Sequence, residues 1–293
     1  MLRSTLSALI AAVGLGMPLV AGSPGPAAPV DRTVFVTVTD GKGVPVTDMT
    51  PADFLVKEGG KERQVLKAEP ATARMKVALA VEERIVGHGA IRLALFEFAK
   101  RITSHADVSL ITIGLSNRTI VDYTSNLQPM VDAINKFTMN PGRDSNVGEG
   151  VLDMAAKFSA AKTERPVIVV VCLSGGQAGA DARPVLDKLR ESGATMYTVT
   201  LVGGAQAADS QQDDANDREQ ILSEGPKQSG GRQQDVNLGT AVPQALQQVA
   251  NELLGQYAVT YTLPDGVKPE RRFNITTKKR GVTVRGPSLI PER

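Results

Sequence analysis

Val167–Leu173 (VIVVVCL) is an unbroken apolar run. A strand that is apolar at every position has no face to give to water, so it has to be covered on both sides. Met75–Glu82 (MKVALAVE) is a nearly continuous apolar run of the same kind. Amphipathic segments follow such runs: Ala90–Ile102 carries Ile91, Leu95, Phe98 and Ile102 on one helical stripe. Further strands read at Val108–Gly114, at Arg118–Thr124 and in ATMYTVTLV, with helices in LQPMVDAINKF, Gly148–Phe158, ARPVLDKLRESG and Val242–Gly255. Strands alternating with helices of this length predict an α/β unit with a mostly parallel, doubly wound sheet. Gly203–Asn216 is polar and acidic without periodicity and reads as a loop, followed by a helix near Arg218–Gln228.

The two flanks follow a different rule. Thr33–Asp40 (TVFVTVTD) alternates with period two, Gly41–Gly43 marks a turn, and short strands follow around Asp53–Lys57 and Arg63–Ala68. The same alternation returns in QYAVTYTL, RRFNITTKK and GVTVRG. Neither flank is long enough to enclose a core alone. They are therefore expected to build one small β-sandwich together, with the α/β unit inserted between them. The expected boundaries are N-terminal strands over 30–72, the α/β domain over 73–255, and C-terminal strands over 256–290.

Ahead of these, Arg3 precedes the apolar stretch Leu6–Val20, which ends in the small residues Ala21 and Gly22. This is the pattern of a cleaved signal peptide over 1–22, with 23–29 as a Pro/Ala spacer. The stretch is short for a membrane span, and no cysteine near the cleavage point would take a lipid. The expected location is periplasmic or fully secreted, with no transmembrane helix after cleavage. The single cysteine, Cys172, forbids an intrachain disulfide. With 33 Lys+Arg against 31 Asp+Glu, no basic excess argues for nucleic acid.

Catalytic patterns are thin. Cys172-Leu173-Ser174-Gly175-Gly176 follows a buried strand, but a nucleophile elbow wants glycine where Cys172 stands, and no histidine follows Ser174. No phosphate-cradling glycine loop follows a strand. Lys268–Arg285 holds seven basic residues and one acid, Glu270. It reads as an edge hairpin whose charges block edge-to-edge pairing, with an anionic envelope surface as the alternative partner.

Several phrases resemble secreted bacterial proteins with a von Willebrand factor type A domain. Asp40, Gly43, Pro45 and Val46, then Asp53, Phe54, Val56, Glu58, Gly60 and Lys61, match the family's β-rich lead-in, and the closing strands match its terminal segment. The resemblance implies a metal-ion-dependent adhesion site at the C-terminal edge of the sheet. There a D-x-S-x-S turn, a threonine and a further aspartate hold Mg²⁺, because a hard cation wants oxygen ligands in octahedral array. In this sequence Glu82, Arg84 and Val86 stand in the turn, Ser145 near the threonine position and Gly175 at the second aspartate. The implied site is degenerate: no metal and no cofactor are expected. Glu82, Glu83 and Arg84 read either as a solvated turn or as a carboxylate–guanidinium stand-in for the metal. The expected function is a non-catalytic protein-binding or scaffold module. Its candidate contacts at the sheet edge are Glu82, Glu83, Arg84, His88, Ser145, Asn146 and Gln177. A hydrolytic or small-molecule enzyme on a flavodoxin-like sheet and a structural envelope protein are the alternatives.

Overall fold

The computed structural model describes residues 29–85, 87–140, 144–202 and 212–291. The signal segment, the spacer up to residue 28, Val86 and residues 203–211 of the expected loop lie outside them.

The chain begins with β1 (Val30–Asp40), β2 (Phe54–Glu58), β3 (Lys61–Arg63) and β4 (Val65–Pro70). It then enters an alternating series. This comprises β5 (Met75–Glu82), α1 (His88–Ile102), β6 (Ala106–Ile113), β7 (Arg118–Thr124), α2 (Leu127–Lys136), α3 (Val147–Ala160) and β8 (Pro166–Leu173). It continues with α4 (Ala182–Ser192), β9 (Thr195–Leu201), α5 (Gln212–Ser229), β10 (Gln233–Val236) and α6 (Val242–Leu254). The chain returns through β11 (Gln256–Leu263), β12 (Phe273–Thr277) and β13 (Val282–Arg285).

The α/β part is a six-stranded sheet in the order β10-β9-β8-β5-β6-β7, parallel except for β7. β8 is buried at every position. Its even and odd side chains feed two cores, one under α1 and α6 and one under α3 and α4. Ile91, Leu95, Phe98 and Ile102 all face the first of these. Cys172 lies in the second core, where burial pushes its thiol up to about 12 and keeps it protonated.

The flanks form the sandwich: a four-stranded sheet β13-β1-β11-β4 over a three-stranded sheet β12-β2-β3. β1 and β11 pair antiparallel from Val30↔Leu263 to Thr37↔Gln256. The inner faces alternate, with Val34, Val36, Val38, Phe54, Tyr257, Val259, Tyr261 and Phe273 in one core.

Three expectations need correction. Helix α5 starts at Gln212, inside the stretch read as loop. The single return strand expected at Arg63–Ala68 is two strands, β3 and β4, which serve different sheets. The basic stretch is not a hairpin either, because β12 pairs with β2 and β13 with β1. Lys278–Arg280 thus lie on the crossover between sheets, where Lys279 pairs with Asp48 at 2.7 Å.

Several side chains join the two parts: Arg285 of β13 pairs with Glu252 of α6, and a buried arginine reaches both connections. Arg165, just before β8, donates from Nη1 to Ala71 O and Ala73 O, and from Nη2 to Leu253 O and Gln256 Oε1. These acceptors lie on the outgoing and the returning connection between sandwich and α/β unit. Phe35 stacks under the guanidinium, with 5.0 Å from Cζ to the ring centroid. Burial lowers the Arg165 pKa to about 10, which still leaves it charged at neutral pH. Arg165→Met should cost about 3 kcal/mol, because two buried and two part-buried acceptors lose a charged donor. Urea unfolding measures this, and a loss below about 1 kcal/mol would remove the staple from the account.

Candidate functional site

Strand β5 delivers three charged residues to the C-terminal edge of the sheet. Glu82 is its last residue, and Glu83 N donates to Ile113 O at the end of β6. Ile85 N then donates to Glu82 O at 3.3 Å, and the fully buried Ile85 side chain anchors the bend. The bend brings Arg84 back over the sheet.

Glu82 is 0% exposed. Its Oε1 accepts from Ser145 Oγ, and its Oε2 accepts from Leu173 N at 2.6 Å and Arg218 Nη2 at 2.9 Å. Arg84 Nη1 approaches Oε1 at 3.6 Å and donates to Gly175 O at 3.3 Å. Arg218, on α5 and 1% exposed, also donates to Leu173 O at 2.8 Å and Gln177 O at 2.9 Å. Two guanidiniums therefore close on one carboxylate, and Arg218 ties the end of β8 and its following loop to the end of β5. Removing one partner of such a buried pair leaves an uncompensated charge, which is costly.

The neighbouring loop is shaped to the guanidinium. Gly176 has φ +131°, and a Cβ there would lie 2.1 Å from Arg84 Nη1. Gly176 thus leaves the space that Arg84 fills. Beside it, Glu83 accepts from Arg118 Nη2 at 2.5 Å and Asn140 Nδ2 at 3.4 Å. Burial pushes the Glu83 carboxyl up, but the hydrogen bonds from Arg118, Thr112 and Asn140 outweigh it and hold it below the usual carboxylate range.

The solvated turn is therefore corrected: Glu82, Glu83 and Arg84 are all buried, at 0%, 5% and 8% exposure. Ser145 is buried as well and is held by Glu82. Asn146 and Gln177 are half-buried and form a parallel bridge beside this group, and Asn146 Nδ2 also donates to Glu149 Oε2 at 3.1 Å. His88 is the first residue of α1. Sequence reasoning missed Arg218, which pairs with Glu82 across 136 positions.

The oxygen donors do not suit a divalent cation. Glu82 already takes three hydrogen bonds besides the Arg84 charge, Gly175 has no side chain, and the remaining hydroxyl, Ser145, is committed to Glu82.

A mostly parallel sheet covered by helices on both faces, with its site at the strands' C-terminal edge, places the chain in the doubly wound α/β class. The von Willebrand factor type A domain model matches residues 89–249, more than half of the chain, and the chain belongs to that family. The match begins at Gly89, just past the bend that carries Glu82–Arg84. Domains of this family are generally non-enzymatic modules that bind other proteins. No curated protein matches in sequence. Among solved structures, the chain is similar to proximal thread matrix protein 1 from the mussel byssus with a zinc-occupied metal-ion-dependent adhesion site. That likeness has a TM-score of 0.50 at 8% identity, over 67% of this chain and 49% of that one. A von Willebrand factor type A protein from Catenulispora acidiphila gives 0.46 at 8% identity, over 92% and 75%. An aerotolerance-related membrane protein from Bacteroides fragilis gives 0.45 at 13% identity, over 60% and 98%. Among the described residues, no helix is long and apolar enough to cross a membrane.

Two outcomes test the geometry. Arg218→Ala should destabilise by about 3–5 kcal/mol in urea unfolding, since it strands Glu82; adding Glu82→Gln should recover more than half. Glu83 has a folded pKa below its unfolded one, so its contribution is complete above the ordinary carboxylate range. It is lost as pH falls through that range toward the lower folded value. The Tm difference between the wild type and Glu83→Gln should therefore shrink from pH 7 to about pH 3 in calorimetry.

Proposed function

We propose that the chain is an exported, non-catalytic protein-binding module that works at its sheet edge without a divalent cation. The carrying observation is the buried Glu82–Arg84–Arg218 group, in which a guanidinium lies against the carboxylate where the family's pattern has a metal. Arg84 uses only Nη1 inward; its Nε and Nη2 have no partner among the described residues and suit a carboxylate or carbonyl of another protein. Exposed apolar side chains stand on other loops at the same end of the sheet: Leu115 at 59% exposure after β6, Val202 after β9, and Leu238 at 67% after β10. Arginine is enriched among the residues that carry binding energy at interfaces, and exposed apolar side chains nearby add area to bury. Ser145 Oγ next to Glu82 is not a credible nucleophile, since both are fully buried. Export rests on the sequence pattern of residues 1–22.

Millimolar Mg²⁺ or Mn²⁺ should leave Tm unchanged, because a ligand stabilises only the state it binds. A saturable rise reversed by EDTA would defeat the metal-free reading. Installing Glu82→Asp, Arg84→Ser, Val86→Ser and Gly175→Asp should not create that rise until Arg218→Ala is added, because Arg218 holds the same carboxylate. A partner captured by crosslinking in the native host should bind Arg84→Ala at least 1 kcal/mol more weakly. Charge reversal at Lys278 and Arg280 should alter little beyond salt dependence. The opposite pattern would move the contact to the basic sandwich face.

A further inference from the structure

The second surface lies at the other end of the molecule, between the sandwich and the N-terminal ends of the parallel strands. A cavity of about 420 Å³ runs along Val30–Phe35 of β1. Its far wall is made by Leu186 and Leu189 of α4, the Gly193–Thr195 connection, and the tail residues Leu289 and Ile290.

Among the described residues, β1 is paired on only one side along this stretch. β11 covers it from Val30 to Thr37, whereas β13 covers the opposite side only from Thr37 to Asp40. The reason lies in the residues after β13. Gly286 packs so tightly that a Cβ would stand 2.6 Å from Ile275 and 2.9 Å from Val36. Pro287 has no N–H to extend the ladder. The tail departs instead toward the other sheet and α5: Ser288 N donates to Gln228 O, Ile290 N donates to Arg271 O, and Arg32 Nη2 donates to Pro291 O. The tail thereby lines the cavity without pairing with the Val30–Phe35 stretch of β1.

The phase of β1 follows from its other contacts. Val38 O accepts from Val46 N and Asp40 N donates to Val44 O, on the side that β11 occupies higher up. Backbone groups alternate sides along an antiparallel strand. Asp31, Thr33 and Phe35 therefore turn their N–H and C=O into the slot, in step with Thr37 and Thr39, which face β13. A row of alternating donors and acceptors repeating every ~7 Å matches another extended backbone. The three residues span ~14 Å, room for a strand of about five residues.

Charge selects further. Both guanidiniums of the slot are already paired, Arg32 with Glu58 and Arg190 with Asp187, each at 2.7 Å. The exposed carboxylates Asp31 and Glu164 have no ion-pair or hydrogen-bond partner among the described residues. The unbalanced charge is negative.

We propose that this slot binds an extended segment of a partner protein that adds as a strand to β1, with apolar side chains toward α4 and a Lys or Arg toward Asp31 and Glu164. Strand addition of this kind draws affinity from the backbone and specificity from alternate side chains. It is independent of the sheet-edge reading, because no residue is shared.

The test uses a random heptapeptide phage library selected on the full chain, with the enriched peptides synthesised and titrated by fluorescence anisotropy. Enriched peptides should alternate apolar residues and carry Lys or Arg. Asp31→Lys, at an exposed position that leaves the fold intact, should weaken them at least tenfold. Thr33→Pro should do the same by deleting a slot-facing donor; β11 does not use that N–H, so an edge strand tolerates the proline. N-methylation of alternate peptide amides should abolish binding in one of the two phases and spare it in the other. Failure to enrich any peptide, or enrichment of peptides indifferent to both substitutions, would overturn the proposal. Neither result depends on what Arg84→Ala does at the far edge.

Discussion

β1 and β11 form the seam on which the architecture depends. Thr33 and Thr260, 227 positions apart, share a hydrogen bond across it at 2.9 Å. Closing a flexible loop of that length would cost about 5 kcal/mol beyond a constant. The α/β unit removes most of that cost, since its own core fixes where its two ends emerge. Arg165 then holds both ends together, and Ala71 N donates to Gln256 O at 2.8 Å beside it. The sandwich inherits a closed loop rather than having to find one.

The C-terminal edge obeys a second constraint, that of a carboxylate taken wholly out of water. Glu82 is tolerable there because donors reach it from three distant parts of the chain, Ser145, the backbone of Leu173 and Arg218, and the Arg84 charge lies beside it. Each of those donors fixes a loop. The edge is therefore held firmly beneath, and among the described residues Arg84 keeps Nε and Nη2 without a hydrogen-bond partner.

Much of this was legible in the sequence where burial writes a pattern. The all-apolar β8 and the stripe on α1 identified the sheet and its cover, and the shared alternation of the two flanks brought β1 to β11. Legibility failed where elements are polar or depend on distant partners. β10 (QQDV) has one neighbouring strand and no buried run, so nothing in its composition marks it. The start of α5 hides in acidic residues, yet Asp214 and Asp217 take N–H groups of Gly179 and Ala182, contacts no local window reveals. At the site, Glu82 and Arg84 stood out as misfits in a known motif. Arg218 did not, because a single arginine in a polar helix gives no sign that it is the buried partner.

β4 and β11 are adjacent antiparallel strands, with Pro70 opposite Tyr257. Ordinarily two such neighbours would be joined by a reverse turn of a few residues. Here that turn has been exchanged for an entire α/β domain, which makes the domain a graft on a neck two strands wide. A graft of this kind can be excised on paper without disturbing a single strand pairing of the host sandwich. In the intact protein the same neck is the covalent route between graft and host, and Arg165 hydrogen-bonds to both of its connections.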